Sequence, residues 1–98
     1  MRYAIRFAPG TTAHMRALTA RQRANVYDAI EKALVHEPLA QSRHRKRLRE
    51  NEVARWELRV EDLRVFYDVD TQAGVVRVLA LGRKEGNHLW IAGRKVRL

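Results

Sequence analysis

Two arginines facing one another across a β-hairpin form a site that neither arginine forms alone. The runs Arg55 to Val60 and Leu63 to Val69 alternate as half-buried strands do, and only Glu61-Asp62 separates them. With Val60 opposite Leu63, Leu58 meets Val65 and Trp56 meets Tyr67, which makes three apolar pairs on one face. The same register sets Arg59 opposite Arg64, Glu57 opposite Phe66 and Arg55 opposite Asp68 on the other face. Like charges directly across a strand pair repel, so Arg59 and Arg64 call for an anion between them, and a phosphate would serve. The competing reading is that Glu57, Glu61 or Asp62 supplies that charge and the cluster merely solvates the sheet. Both readings stay open at the level of sequence.

Two further clusters carry similar chemistry. Arg43, Arg45, Lys46, Arg47 and Arg49 form a basic run in which each neutralised phosphate would add to the salt dependence of binding. A solvated charge run would look the same. The segment GRKEGNHLW brings Arg83, Lys84, His88 and Trp90 close in sequence, a set able to combine phosphate contact, proton transfer and base stacking. A surface imidazole and a packed indole account for His88 and Trp90 equally well. His14, His36 and His44 have no companions of matching chemistry, and Gly82 and Gly86 are too sparse for a nucleotide loop. The chain has no cysteine, which removes thiol catalysis, disulfides and thiolate metal sites, so no metal or cofactor is expected.

These residues must be positioned by a single small domain spanning residues 1–98, because 98 residues bury one modest core. The composition, 46% hydrophobic and 32% charged, excludes a disordered chain, and the longest apolar runs fall short of a bilayer span. The N-terminal MRYAIRFAPG lacks the apolar core of a signal peptide, so a cytoplasmic location is expected. Twenty Lys and Arg against eleven Asp and Glu leave a formal charge of +9, a field that favours polyanions or an acidic protein as partners.

Residues 2–7 alternate as a strand that Pro9-Gly10 ends, and Thr11 or Thr12 can cap a short helix through Leu18. Thr19-Ala-Arg-Gln22 has the form of a capping box, after which Val26, Ala29, Ile30, Ala33 and Leu34 make one apolar stripe until His36-Glu37-Pro38. A short strand is expected at 47–49, strands at 55–60, 63–69 and 75–81, and an irregular tail with an extended piece near Leu89 to Ile91. The expected class is α+β: an N-terminal strand, a helical hairpin on one sheet face, then a three- or four-stranded antiparallel meander with its other face free.

At WELRVEDLRVFYDVD, followed by VVRVLALGRKEGNHL, the sequence resembles the RelE/ParE toxin superfamily. That superfamily has a W/Y-x-[LI]-[RK] strand, an R-[VL]-x-Y strand and a G-x-[KR] turn, and the likeness spans nearly the whole chain. The resemblance implies the toxin of a type II toxin–antitoxin module, neutralised by a cognate antitoxin. Of RelE type, it would be an mRNA endoribonuclease acting on the ribosome without metal; of ParE type, a non-catalytic inhibitor of DNA gyrase. A member that has lost its chemistry and acts by binding alone is the remaining alternative. RNA cleavage of this kind uses the ribose 2′-hydroxyl as nucleophile and needs a phosphate clamp, a proton acceptor and a proton donor. By position, the resemblance implies Arg64 and Lys84 on phosphate, with Arg55 contributing. Glu57 stands where RelE-like enzymes have lysine and Trp90 where they have tyrosine, which leaves His88 and Glu57 to move protons.

Overall fold

The computed structural model describes residues 1–98. Its elements in order are β1 (Ala4–Phe7), α1 (Thr11–Arg16), α2 (Ala20–Ala33), β2 (Arg45–Arg47), β3 (Trp56–Val60), β4 (Leu63–Asp70), β5 (Val75–Glu85), β6 (His88–Ile91) and β7 (Arg94–Val96). One sheet runs β2-β3-β4-β5-β6-β7, and β1 joins it parallel to β5. The class is α+β, and no helix is long and apolar enough to cross a membrane.

Alternation in β3 and β4 sets the two faces. Trp56, Leu58, Val60, Leu63, Val65 and Tyr67 enter the main core with Val26 and Ile30 of α2 and with Leu34, which caps that helix. The expected register holds in full, from Val60 opposite Leu63 to Trp56 opposite Tyr67. The Trp56 and Tyr67 rings stack at 6.1 Å, and the Tyr67 hydroxyl donates to the Pro38 carbonyl at 2.7 Å, tying the loop after α2 to the sheet. Burial holds the Tyr67 phenol well above its ordinary range. The capping box also forms: the Thr19 hydroxyl accepts from Gln22 N–H and the Gln22 side chain accepts from Thr19 N–H.

Several elements depart from expectation. The strand placed at 47–49 lies at Arg45–Arg47, because the basic run has no apolar period to fix it. α1 ends at Arg16 rather than Leu18, and no side chain caps it; Thr11 donates its hydroxyl to the Ala8 carbonyl instead. β5 continues four residues beyond Leu81 to Glu85; the extended piece expected near Leu89 to Ile91 is β6, and the rest of the tail, expected to be irregular, adds β7 to close the β6–β7 hairpin. The sheet face expected to be free carries a second apolar cluster of Ala54, Phe66, Ala80 and Leu89, flanked by Leu48, Val53, Val96 and Leu98.

β5 also carries a bulge. Phe66 pairs with Ala80 but Tyr67 pairs with Val78, so Leu79 is the extra residue. Parity inverts there: Val76 and Val78 before the bulge, and Leu81 after it, all enter the main core. Ala80, Gly82 and Lys84 consequently share the opposite face, which we call the outer face.

On its other edge β5 pairs with β1 over Val75–Val78 and with β6 over Arg83–Glu85, leaving a gap between the two ladders. His14 of α1 fills it, its Nδ1 accepting from Leu81 N–H at 3.2 Å. Burial lowers the His14 pKa from 6.5, as expected for a neutral ring serving as acceptor. The folded state thus takes up this proton at lower pH than the unfolded state, so the stabilisation is complete above 6.5 and is lost as pH falls through the folded value. Urea midpoints of the wild-type chain should therefore drop between about pH 7 and pH 5 more steeply than those of His14→Leu. Equal slopes for the two proteins would contradict this role.

Candidate functional site

The outer face is closed in by two walls. One is the segment following β2, where Asn51 organises the backbone: its Nδ2 donates to the Arg49 and Ala54 carbonyls at 2.8 Å, and its Oδ1 accepts from Val53 and Ala54 N–H. The other is the β6–β7 hairpin, which rests on the second apolar cluster through Leu89 and Val96. Gly82 permits this close approach, because a Cβ there would lie 2.9 Å from the Trp90 carbonyl oxygen.

Between the walls lies a groove of about 510 Å³, with apolar lining from Leu48, Leu89, Val96 and Leu98. Its charged lining is Lys46, Arg49, Arg59, Lys84 and Arg97, with Glu57 as the single carboxylate. Glu57 is buried, although it lies on the outer face. Its Oε2 is 3.5 Å from Arg59 Nε and its Oε1 is 3.8 Å from Arg64 Nε. The anion demanded by the opposed arginines is therefore supplied from within the chain, as the competing sequence reading had it.

Arg64 is sequestered rather than presented. Its side chain is only 11% exposed, and Nη1 donates to the Glu61 and Leu63 carbonyls at 2.8 Å, bracing the β3–β4 turn. Its buried Nε has no hydrogen-bond partner and lies within ion-pair range of Glu57 but beyond hydrogen-bond range. The guanidinium implied to clamp a phosphate is thus not among the groove's lining residues and acts on Glu57 from beneath.

The remaining sequence candidates divide between the faces. Glu57, Arg59, Lys84, Lys46 and Arg49 converge on the groove, and Lys84 does so because the bulge at Leu79 turns it outward. Arg55 lines an adjoining hollow with Arg47 and Arg49, and its backbone N–H donates to Asp68 Oδ1 at 2.7 Å. Arg45 is a brace: Nε donates to the Ala40 carbonyl at 2.7 Å and Nη1 to the Ala33 carbonyl at 3.0 Å. Arg47 also sits over the Trp56 ring at 5.8 Å. Arg83 and Trp90 are cross-strand partners on the helix face, lining a smaller hollow with His14, and Arg83 pairs with Glu85. His88 lies at the start of β6, opposite Glu85, and lines a neighbouring hollow with Asn87, Val96 and Arg97 rather than the groove itself.

Three polar groove residues escaped the sequence reading. Asn51 and Asn87 lie in loops, where amides read as turn formers. Arg97 follows β7, the one tail strand that the sequence did not announce.

A sheet covered by a helical hairpin on one side is also the fold of two solved toxin–antitoxin structures. The solved toxin–antitoxin complex RelBE2 from Mycobacterium tuberculosis is similar at 25% identity, over 86% of this chain and 100% of that one, with a TM-score of 0.73. The RelE–RelB complex of the archaeon Pyrococcus horikoshii shares the fold at 19% identity, over 89% of this chain and 99% of that one, with a TM-score of 0.69. No curated protein sequence matches the chain. The chain belongs to the RelE/ParE toxin family: the family described as "ParE toxin of type II toxin-antitoxin system, parDE" matches residues 5–87. It is the toxin component of a type II toxin–antitoxin module.

Glu57 offsets two cations that would otherwise be opposed, so its removal leaves Arg64 buried without a counter-ion. Glu57→Ala should lower stability by about 1–3 kcal/mol. Arg64→Met should cost less in the Glu57→Ala background than alone, by about 1 kcal/mol, in a double-mutant cycle read by urea unfolding. Strictly additive costs would show that the two side chains do not interact.

Proposed function

We propose that this toxin is an endoribonuclease that cleaves mRNA on the ribosome, and that the outer-face groove holds the RNA backbone. The observation that carries this reading is a lone carboxylate, Glu57, in a groove whose other charged side chains are all cations. In-line attack of a ribose 2′-oxygen on the neighbouring phosphorus forms one P–O bond and breaks the bond to the 5′-oxygen, leaving a 2′,3′-cyclic phosphate and a 5′-hydroxyl. Glu57 accepts the 2′-hydroxyl proton. Arg59 and Lys46 offset charge on the phosphate oxygens, and the Lys84 ammonium hydrogen-bonds and protonates the leaving 5′-oxygen. Every group in that sequence is a side chain of the groove, and the reaction requires no metal ion.

Arg64 acts here as a positioning residue that fixes the Glu57 carboxylate. His88 and Trp90 take no part, since neither lines the groove. The same two placements favour the second reading, a ParE-like toxin that blocks gyrase by binding, and the family matched is described by the ParE name. We also infer an acidic antitoxin as partner. The +9 charge favours one, and both solved relatives are complexes of a toxin with its antitoxin.

Mapping of RNA ends on programmed ribosomes, at single turnover, separates these readings. The wild-type chain should generate new 5′-hydroxyl ends within the ribosome-bound codon, and added antitoxin should stop it. Lys84→Ala and Glu57→Gln should each slow cleavage by roughly 10²-fold or more, with His88→Ala near the wild-type rate. Growth arrest with intact mRNA and gyrase-dependent DNA breaks would establish the binding reading instead.

A further inference from the structure

β7 ends at Val96, and the two residues after it have different environments. Leu98 is half-buried and packs, as Val96 does, against the second apolar cluster around Phe66 and Leu89. Arg97 between them is exposed and lines the groove beside Lys84 and Asn87. An arginine that served only for solvation would need no fixed backbone. This one is flanked by two apolar side chains seated on the same cluster, with Val96 further held opposite Leu89 in the β6–β7 ladder.

The charges of the groove explain what that placement achieves. Lys46 and Arg49 come from β2 and the segment after it, and Arg59 from β3. Without Arg97, Lys84 at the end of β5 would be the one cation facing them from the other wall. A single phosphodiester strand lying in the groove presents oxygens to both walls, and a guanidinium can hold two of them with parallel N–H bonds as an ammonium cannot.

We propose that Arg97 is a phosphate-contacting residue of the groove and that Leu98 is its anchor, so that residues 96–98 complete the second wall of a cleft for single-stranded RNA. The proposal rests on the reading of the groove as an RNA site. It gives the β6–β7 hairpin a purpose beyond covering Phe66: the apolar cluster beneath the hairpin sets where the cation above it stands.

The test is binding of a short fluorescein-labelled oligouridylate to the whole chain across a salt series, followed by anisotropy. Wild-type affinity should fall steeply with salt. Arg97→Ala should weaken binding roughly tenfold at low salt, the size of one charge-assisted contact, and reduce the log–log salt slope by about 0.7. Leu98→Ser should show much of the same loss with Arg97 still present. Arg94→Ala, on the same hairpin but outside the groove lining, should match the wild type in affinity and slope. If the wild type binds with strong salt dependence and Arg97→Ala keeps both affinity and slope, the role of the tail is wrong while the RNA reading stands. An equal loss in Arg94→Ala would likewise reduce the effect to general charge. Absence of salt-dependent binding by the wild type overturns both readings.

Discussion

Burial of Leu58, Val65 and Tyr67 against Val26 and Ile30 of α2 and its C-cap residue Leu34 fixes the parity of the central strands, and nearly every functional placement follows from that parity. Because side chains alternate with period two, those three residues cannot enter the core unless Glu57, Arg59 and Arg64 leave it on the opposite side. A slip of one residue would exchange the two sets, burying three charged groups under the helices. The hydrophobic stabilisation of the main core thus also pays for holding two arginines and a glutamate together on the outer face. Glu57 resolves the repulsion that this arrangement creates, its carboxylate within 3.8 Å of both guanidinium Nε atoms.

The bulge at Leu79 is the second determinant. Continuous alternation along β5 would put Lys84 on the same side as Val76 and Val78, beneath the helices and remote from Glu57. One inserted residue allows Leu81 to join the core and Lys84 to join the groove. It also falls where β5 lacks a strand neighbour between β1 and β6, and there His14 satisfies Leu81 N–H. Packing, backbone hydrogen bonding and the position of a cation proposed to act in catalysis therefore meet within a few residues of β5.

The hairpin register was legible because a two-residue link joined two alternating runs, and the capping box because its residues sit in a fixed spacing. The bulge was not legible, since Leu79, Ala80 and Leu81 are all apolar and fit either parity. The extended piece near Leu89 to Ile91 was legible as β6, but its pairing with β7 was hidden by the turn between them. Ala92 and Gly93 both adopt positive φ, 53° and 76°, the pattern of a tight hairpin turn, but alanine is a poor signal for that conformation where asparagine or aspartate would announce it. With that hairpin unseen, the cover over Phe66 and the placement of Arg97 were unseen too. Arg64 misled for a related reason: sequence placed it correctly on the outer face but could not show that its guanidinium folds back onto the turn carbonyls.

The central claim is that toxicity depends on where the positive charge stands and not on its total. It is tested most directly by growth arrest on induction of two variants that lose the same number of charges. One carries Lys46, Arg49, Arg59 and Lys84 changed to Gln within the groove; the other carries Arg2, Arg6, Arg21 and Arg77 changed to Gln, all exposed and away from it. With both variants shown to be folded and equally abundant, the groove variant should permit normal growth and the other should arrest it as the wild type does. Arrest by the groove variant, or equal relief by both, would contradict the account.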